Sequence, residues 1–238
     1  MSQTGNGPED FGGAFARIEA AVEAGDTDLK ALGFWRLVRE IKADPALSAR
    51  WAEVVGRIDR AVFERRVHPR FPVWLGNALL FAGMGVAAVA IGYSVPCQNL
   101  TVVGALMLAA GVILSVTVHD LAHWLVGSAV GIRFWCYFLD GPFRVQPGLK
   151  SDYASYLRTP PRARAAMHAA GAVASKLGPV VPLGMWPLAK GPSWSFWALV
   201  IFGAVQILTD LTFSVRRADW KKVRRELAIA RAQEAGRS

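Results

Sequence analysis

Two histidines four residues apart lie inside a long apolar stretch, Ser-Val-Thr-Val-His119-Asp120-Leu-Ala-His123-Trp124. On a helix, positions i and i+4 share one face about 6 Å apart along the axis, so both imidazoles can reach one metal ion. Zinc usually takes a third protein ligand and keeps a position for water where the site is catalytic. A second apolar stretch offers that ligand in Asp210, within Gln206-Ile-Leu-Thr-Asp210-Leu. Ionisable residues in apolar surroundings are costly and mark function by default. By the same rule Lys176 faces the site interior, where it neutralises carboxylate charge or contacts a substrate, or else it simply pairs with Asp210. His168 reads as a structural or interfacial histidine.

The elements that must position these residues are membrane spans. Of the 238 residues, 53% are hydrophobic, and they are clustered. Crossing about 30 Å of hydrocarbon takes roughly 20 helical residues. Four stretches are that long: 72–95 with no charge, 100–132 with Asp120 alone, 165–189 with Lys176 alone, and 193–215 with Asp210 alone. Backbone groups in a bilayer must be satisfied within the span, so these stretches are helices. The expected fold is an all-α membrane protein with four transmembrane helices. Trp74 near the start of the first stretch and Trp186, Trp194 and Trp197 around the last loop fit the interfacial preference of aromatic rings.

The net charge of +9 suggests nucleic acid, but its placement points to the bilayer. Arg65, Arg66 and Arg70 precede the first span, and Arg158, Arg162 and Arg164 separate the second from the third. Arg216, Arg217, Lys221, Lys222, Arg224 and Arg225 follow the fourth. The alternate loops are nearly neutral, so the positive-inside rule places both termini in the cytoplasm. The lipid bilayer, and no nucleic acid, is the expected partner. With that orientation His123 lies ten residues before Arg133 and Asp210 six before Arg216, at compatible depths.

Residues 1–70 read as a cytosolic helical segment, 71–98 as the first span and outer loop, 99–217 as the membrane core and 218–238 as a basic tail. Within the first segment one helix is expected over 11–24, ended by Gly25. A second starts after Asp26 and a third at Asp44-Pro45, an N-cap followed by proline. About 70 mostly polar residues precede the first apolar run, so no cleaved leader is expected. Cys97 and Cys136 fall on opposite sides of the membrane and are not expected to pair.

The histidine pair, the aspartate on a later span and the topology together resemble the site-2 protease family of intramembrane zinc metalloproteases. That family carries His-Glu-x-x-His on the first of three core helices and a ligand aspartate on the third. The resemblance covers about residues 100–217 and makes four helices a three-helix core plus one. It implies a Zn2+ ion held by His119, His123 and Asp210, with Asp120 as the general base. Arg164-Ala-Ala-Met-His-Ala-Ala170-Gly171-Ala-Val-Ala-Ser175 resembles the family's middle segment, which implies substrate contacts from Ser175 and Lys176. Four departures stand out: Asp120 replaces glutamate, proline is absent after Gly171, Ser175 stands where the family has asparagine, and Leu211 follows Asp210 in place of glycine. Aspartate is one methylene shorter, which moves its carboxylate about 1.5 Å from where a glutamate would hold it.

The implied function is intramembrane zinc-dependent endopeptidase activity on membrane-anchored proteins near the cytoplasmic face. The alternatives are a metal-binding pseudoprotease that recognises transmembrane helices without cutting them, and a metal or proton transporter. The aromatic run 132–138 is expected either as a strand or re-entrant element beside the site or as packing at the membrane surface.

Overall fold

The computed structural model describes residues 10–140, 146–214 and 218–236. Three helices are long and apolar enough to cross a bilayer: α4 (Val73–Ser94), α5 (Leu100–Ala129) and α9 (Ser193–Thr209) with the first residues of the π-helical turn Asp210–Ser214 after it. They support a multi-pass location in the membrane. At 1.5 Å per residue the 30 residues of α5 reach about 45 Å, well beyond the hydrocarbon thickness. The histidine pair begins two thirds of the way along it. Glycines at one face of α5 let α9 come close: a Cβ at Gly104 would overlap the Trp194 ring, and one at Gly111 would press on Leu199. Small residues serve this purpose in a bilayer, where helix association relies on close packing.

The stretch 165–189 is not one helix. It divides into α7 (Pro161–Ala174) and α8 (Leu177–Ala189), separated at Ser175 and Lys176. Proline lacks the N–H for the i−4 bond and its ring clashes with that carbonyl, so Pro179 interrupts the helix at Ser175. The freed Ser175 carbonyl accepts from Ser115 Oγ of α5 at 3.1 Å, and the Ala172 carbonyl accepts from Lys176 Nζ at 3.1 Å. Polar side chains thus satisfy the broken backbone where water is scarce.

The N-terminal helices are α1 (Phe11–Glu23), α2 (Phe34–Ala43) and α3 (Pro45–Arg66). The second begins later than a cap at Asp26 implies. Turns occupy the intervening residues until Gly33, whose φ of 74° is a left-handed value that glycine adopts without strain. Asp44 does cap α3, accepting from Ala46 N at 2.7 Å. Phe15, Phe34, Ile41, Val55 and Ile58 form one core with Ala154 and Leu157 of the short helix α6 (Tyr153–Arg158).

The fold also contains a sheet. Strands β1 (Arg70–Pro72), β2 (Phe134–Asp140) and β3 (Gln146–Ser151) pair antiparallel with β2 in the centre, so the aromatic run is largely strand. Tyr137 of β2 docks on α4, where its hydroxyl donates to Asn77 Oδ1 at 2.8 Å. A last helix, α10 (Asp219–Ala235), folds back against α7 and α2. Cys97 and Cys136 are both free thiols.

Candidate metal centre

His119 and His123 project from α5 with their Nε2 atoms 3.2 Å apart. The third member of the cluster is Asp219, the first residue of α10. Its Oδ2 lies 3.4 Å from each Nε2. Two donors about 2.0–2.1 Å from one ion at a tetrahedral angle stand about 3.3 Å apart, so these separations match the edges of a zinc site. The donor set of two imidazoles and one carboxylate also suits zinc. The three residues fit the ion.

Second contacts turn the rings toward the cluster. His123 Nδ1 lies 2.7 Å from the Met167 carbonyl of α7 and must donate to it, which leaves Nε2 with its lone pair in the neutral ring. The Gly171 backbone, one turn further along α7, faces the polar edge of His119. Lys222 Nζ takes the other carboxylate oxygen of Asp219, Oδ1, at 3.1 Å. Burial works upward on the Asp219 carboxyl, but His119, His123 and Lys222 outweigh it and hold it well below the usual carboxylate range. The position at the start of α10 acts in the same direction through the helix dipole.

A Cβ at position 171 would overlap the His123 ring. Glycine there is what allows α7 to approach α5 closely enough for both backbone contacts. Gly171→Ala should therefore displace His123 and weaken zinc binding about 10- to 100-fold, the range seen when supporting contacts of metal ligands are lost. Competition with a chromophoric chelator measures it, and parent-like affinity would show that the contact does not matter.

The cluster opens on a cavity of about 480 Å³. Buried Asp120, next to His119, lines this cavity, as do His168 and the edge strand β3 through Pro147, Gly148 and Leu149. His168 is tied back by its Nε2, 3.0 Å from the Tyr156 hydroxyl.

Comparison with protein-family models, curated proteins and solved structures finds no match to this chain.

Of the residues singled out from the sequence, the structure brings His119, His123 and Asp120 together. Asp210, expected as the third ligand, stands apart from them: its Oδ2 lies 2.8 Å from Lys176 Nζ at the α7–α8 break, and the carboxylate beside the two histidines is that of Asp219. Ser175 is at the same break, where its hydroxyl donates to the Ala172 carbonyl at 3.0 Å. Neither Ser175 nor Lys176 lines the cavity. Asp219 was readable only as a lone acid in a basic run, Arg216-Arg217-Ala-Asp219-Trp-Lys221-Lys222, at the start of a helical pattern.

Proposed function

We propose that this chain is an integral membrane metalloprotein that holds one divalent ion, zinc by its donors, on His119, His123 and Asp219. The mutual spacing of the three donor atoms, 3.2, 3.4 and 3.4 Å, carries this reading. A zinc ion held on His119, His123 and Asp219 would supply a Lewis acid at the position these residues leave open. The chain's own residues set that position. His123 is fixed by the Met167 carbonyl, and Lys222 occupies the outer oxygen of Asp219 so that Oδ2 faces inward.

A second reading, an endopeptidase acting on membrane-anchored proteins near the cytoplasmic face, is favoured by the company the cluster keeps. Asp120 supplies a carboxylate in the same cavity to accept a proton from an attacking water. Among the described residues strand β3 is a sheet edge, and a sheet edge can pair with an extended segment of substrate. Recognition without cleavage uses the same cavity and edge.

Asp120→Asn tests both readings at once. Asparagine keeps the size and cannot take the proton, so the variant should retain zinc and lose cleavage of a transmembrane substrate by about a hundredfold or more. Zinc retained with cleavage unchanged would remove Asp120 from any catalytic role. Parent protein that binds no zinc would overturn the metal reading itself.

A further inference from the structure

Helix α10 brings Asp219 to the histidines, and the same face of that helix carries the anchor that seats it. Asp219, Val223, Glu226, Ala230 and Gln233 recur at three- and four-residue steps, placing Glu226 about 10 Å along the axis from the ligand. Glu226 is fully buried, and donors from three other helices converge on it. Arg164 Nε of α7 donates at 2.7 Å, the Tyr156 hydroxyl of α6 at 3.0 Å, and Lys42 of α2 completes the set. Further along, Gln233 Nε2 donates to the Lys42 and Ala43 carbonyls at 3.3 and 3.2 Å, and Arg162 of α7 grips Glu234 at 2.8 and 2.9 Å.

Two buried cations from other helices around one buried carboxylate, beside the more exposed Arg225 of α10 itself, is a poor device for stability alone, because apolar residues of the same volume would do as well or better. What such a cluster can fix is register, since α10 sliding by one turn would leave both cations unpaired. The N-terminal helices contribute no residue to the lining of the metal cavity. They reach its far wall through the sheet, where Phe63 packs on Phe138 and Asp59 pairs with Lys150, and they reach the ligand-bearing helix through the contact of α2 with α10.

We propose that Lys42 is a positioning residue for the metal centre: the N-terminal helical unit, by completing the Glu226 cluster, holds α10 in the register that sets Asp219 Oδ2 against His119 and His123. This rests on the metal-centre reading above. Docking of the N-terminal unit and occupancy of the centre are then coupled, and a partner that drew α2 away from α10 would loosen the ion.

The test is zinc affinity of the full chain in lipid nanodiscs, by chelator competition. Lys42→Met keeps the length and removes the charge, and should weaken zinc about tenfold. Lys42→Arg, which returns a cation, should recover most of that loss. In an Asp219→Ala background Lys42→Met should cause no further loss, because the group it positions is gone. A role in general stability would weaken zinc equally in both backgrounds, and that result overturns the proposal. So does parent-like affinity in Lys42→Met. If Lys42→Met does not fold, Gln233→Ala, which loosens the same α2–α10 contact, supplies the same comparison. His119→Ala is the control for the underlying reading: unchanged zinc affinity there would remove the metal centre, whereas its loss beside an unaffected Lys42→Met would remove the coupling alone.

Discussion

Asp219→Ala is expected to lower zinc affinity by at least about a hundredfold, while Asp210→Ala stays close to the parent. The first change deletes one of three donors, a larger loss than the 10- to 100-fold seen for supporting residues. The second removes a carboxylate already engaged by Lys176, away from the cluster. Its consequence is local: Lys176 keeps its bond to the Ala172 carbonyl but loses its counter-charge, and α9 loses an anchor on the α7–α8 break. Zinc titration of both variants decides the matter. Loss of zinc in Asp210→Ala with retention in Asp219→Ala would reverse the assignment of the third ligand.

The second large effect falls on stability. Glu226→Leu would leave Lys42 and Arg164 facing one another, both buried, with no carboxylate between them. Removing one partner from a buried ion cluster costs about 3–5 kcal/mol. Burial pushes the Glu226 carboxyl up, but Lys42 and Arg164 outweigh it and hold it below its ordinary value of 4.5. The sign follows for acid. The unfolded chain binds the proton more readily, so the stability that Glu226 contributes is complete above pH 4.5 and is lost as pH falls through the lower folded value. Chemical denaturation of the reconstituted protein should show a lower midpoint for Glu226→Leu and no contribution from this group to the acid dependence. An unchanged midpoint would mean that α10 is seated by its other contacts.

Much of this arrangement is legible in the sequence because it depends on local periodicity. The i, i+4 histidines, the apolar lengths of α4, α5 and α9, and the Asp44-Pro45 helix start each follow from neighbouring residues alone. The α7–α8 break was also encoded locally, in Pro179, but the run of apolar residues around it reads as continuous when length and hydropathy are weighed first. Asp219 is a different case. Its role depends on a residue beyond the last apolar span lying back against α5, a placement set by tertiary packing. Asp210 matches the histidines in depth along a straight span, but depth along one axis does not register a residue that packs back from beyond the span. The sheet was half visible: aromatic residues at 132–138 suggested a strand, but its partners lie before α4 and after the following loop.

Metal content measures directly whether α5 and α10 together hold one metal ion. Protein purified from membranes without chelator, and washed free of loosely bound metal, should carry about one zinc per chain. The same preparation of His119→Ala/His123→Ala should carry almost none while inserting into membranes at the parent's level. Equal metal content in the two proteins, or none in the parent after zinc reconstitution, would contradict the account.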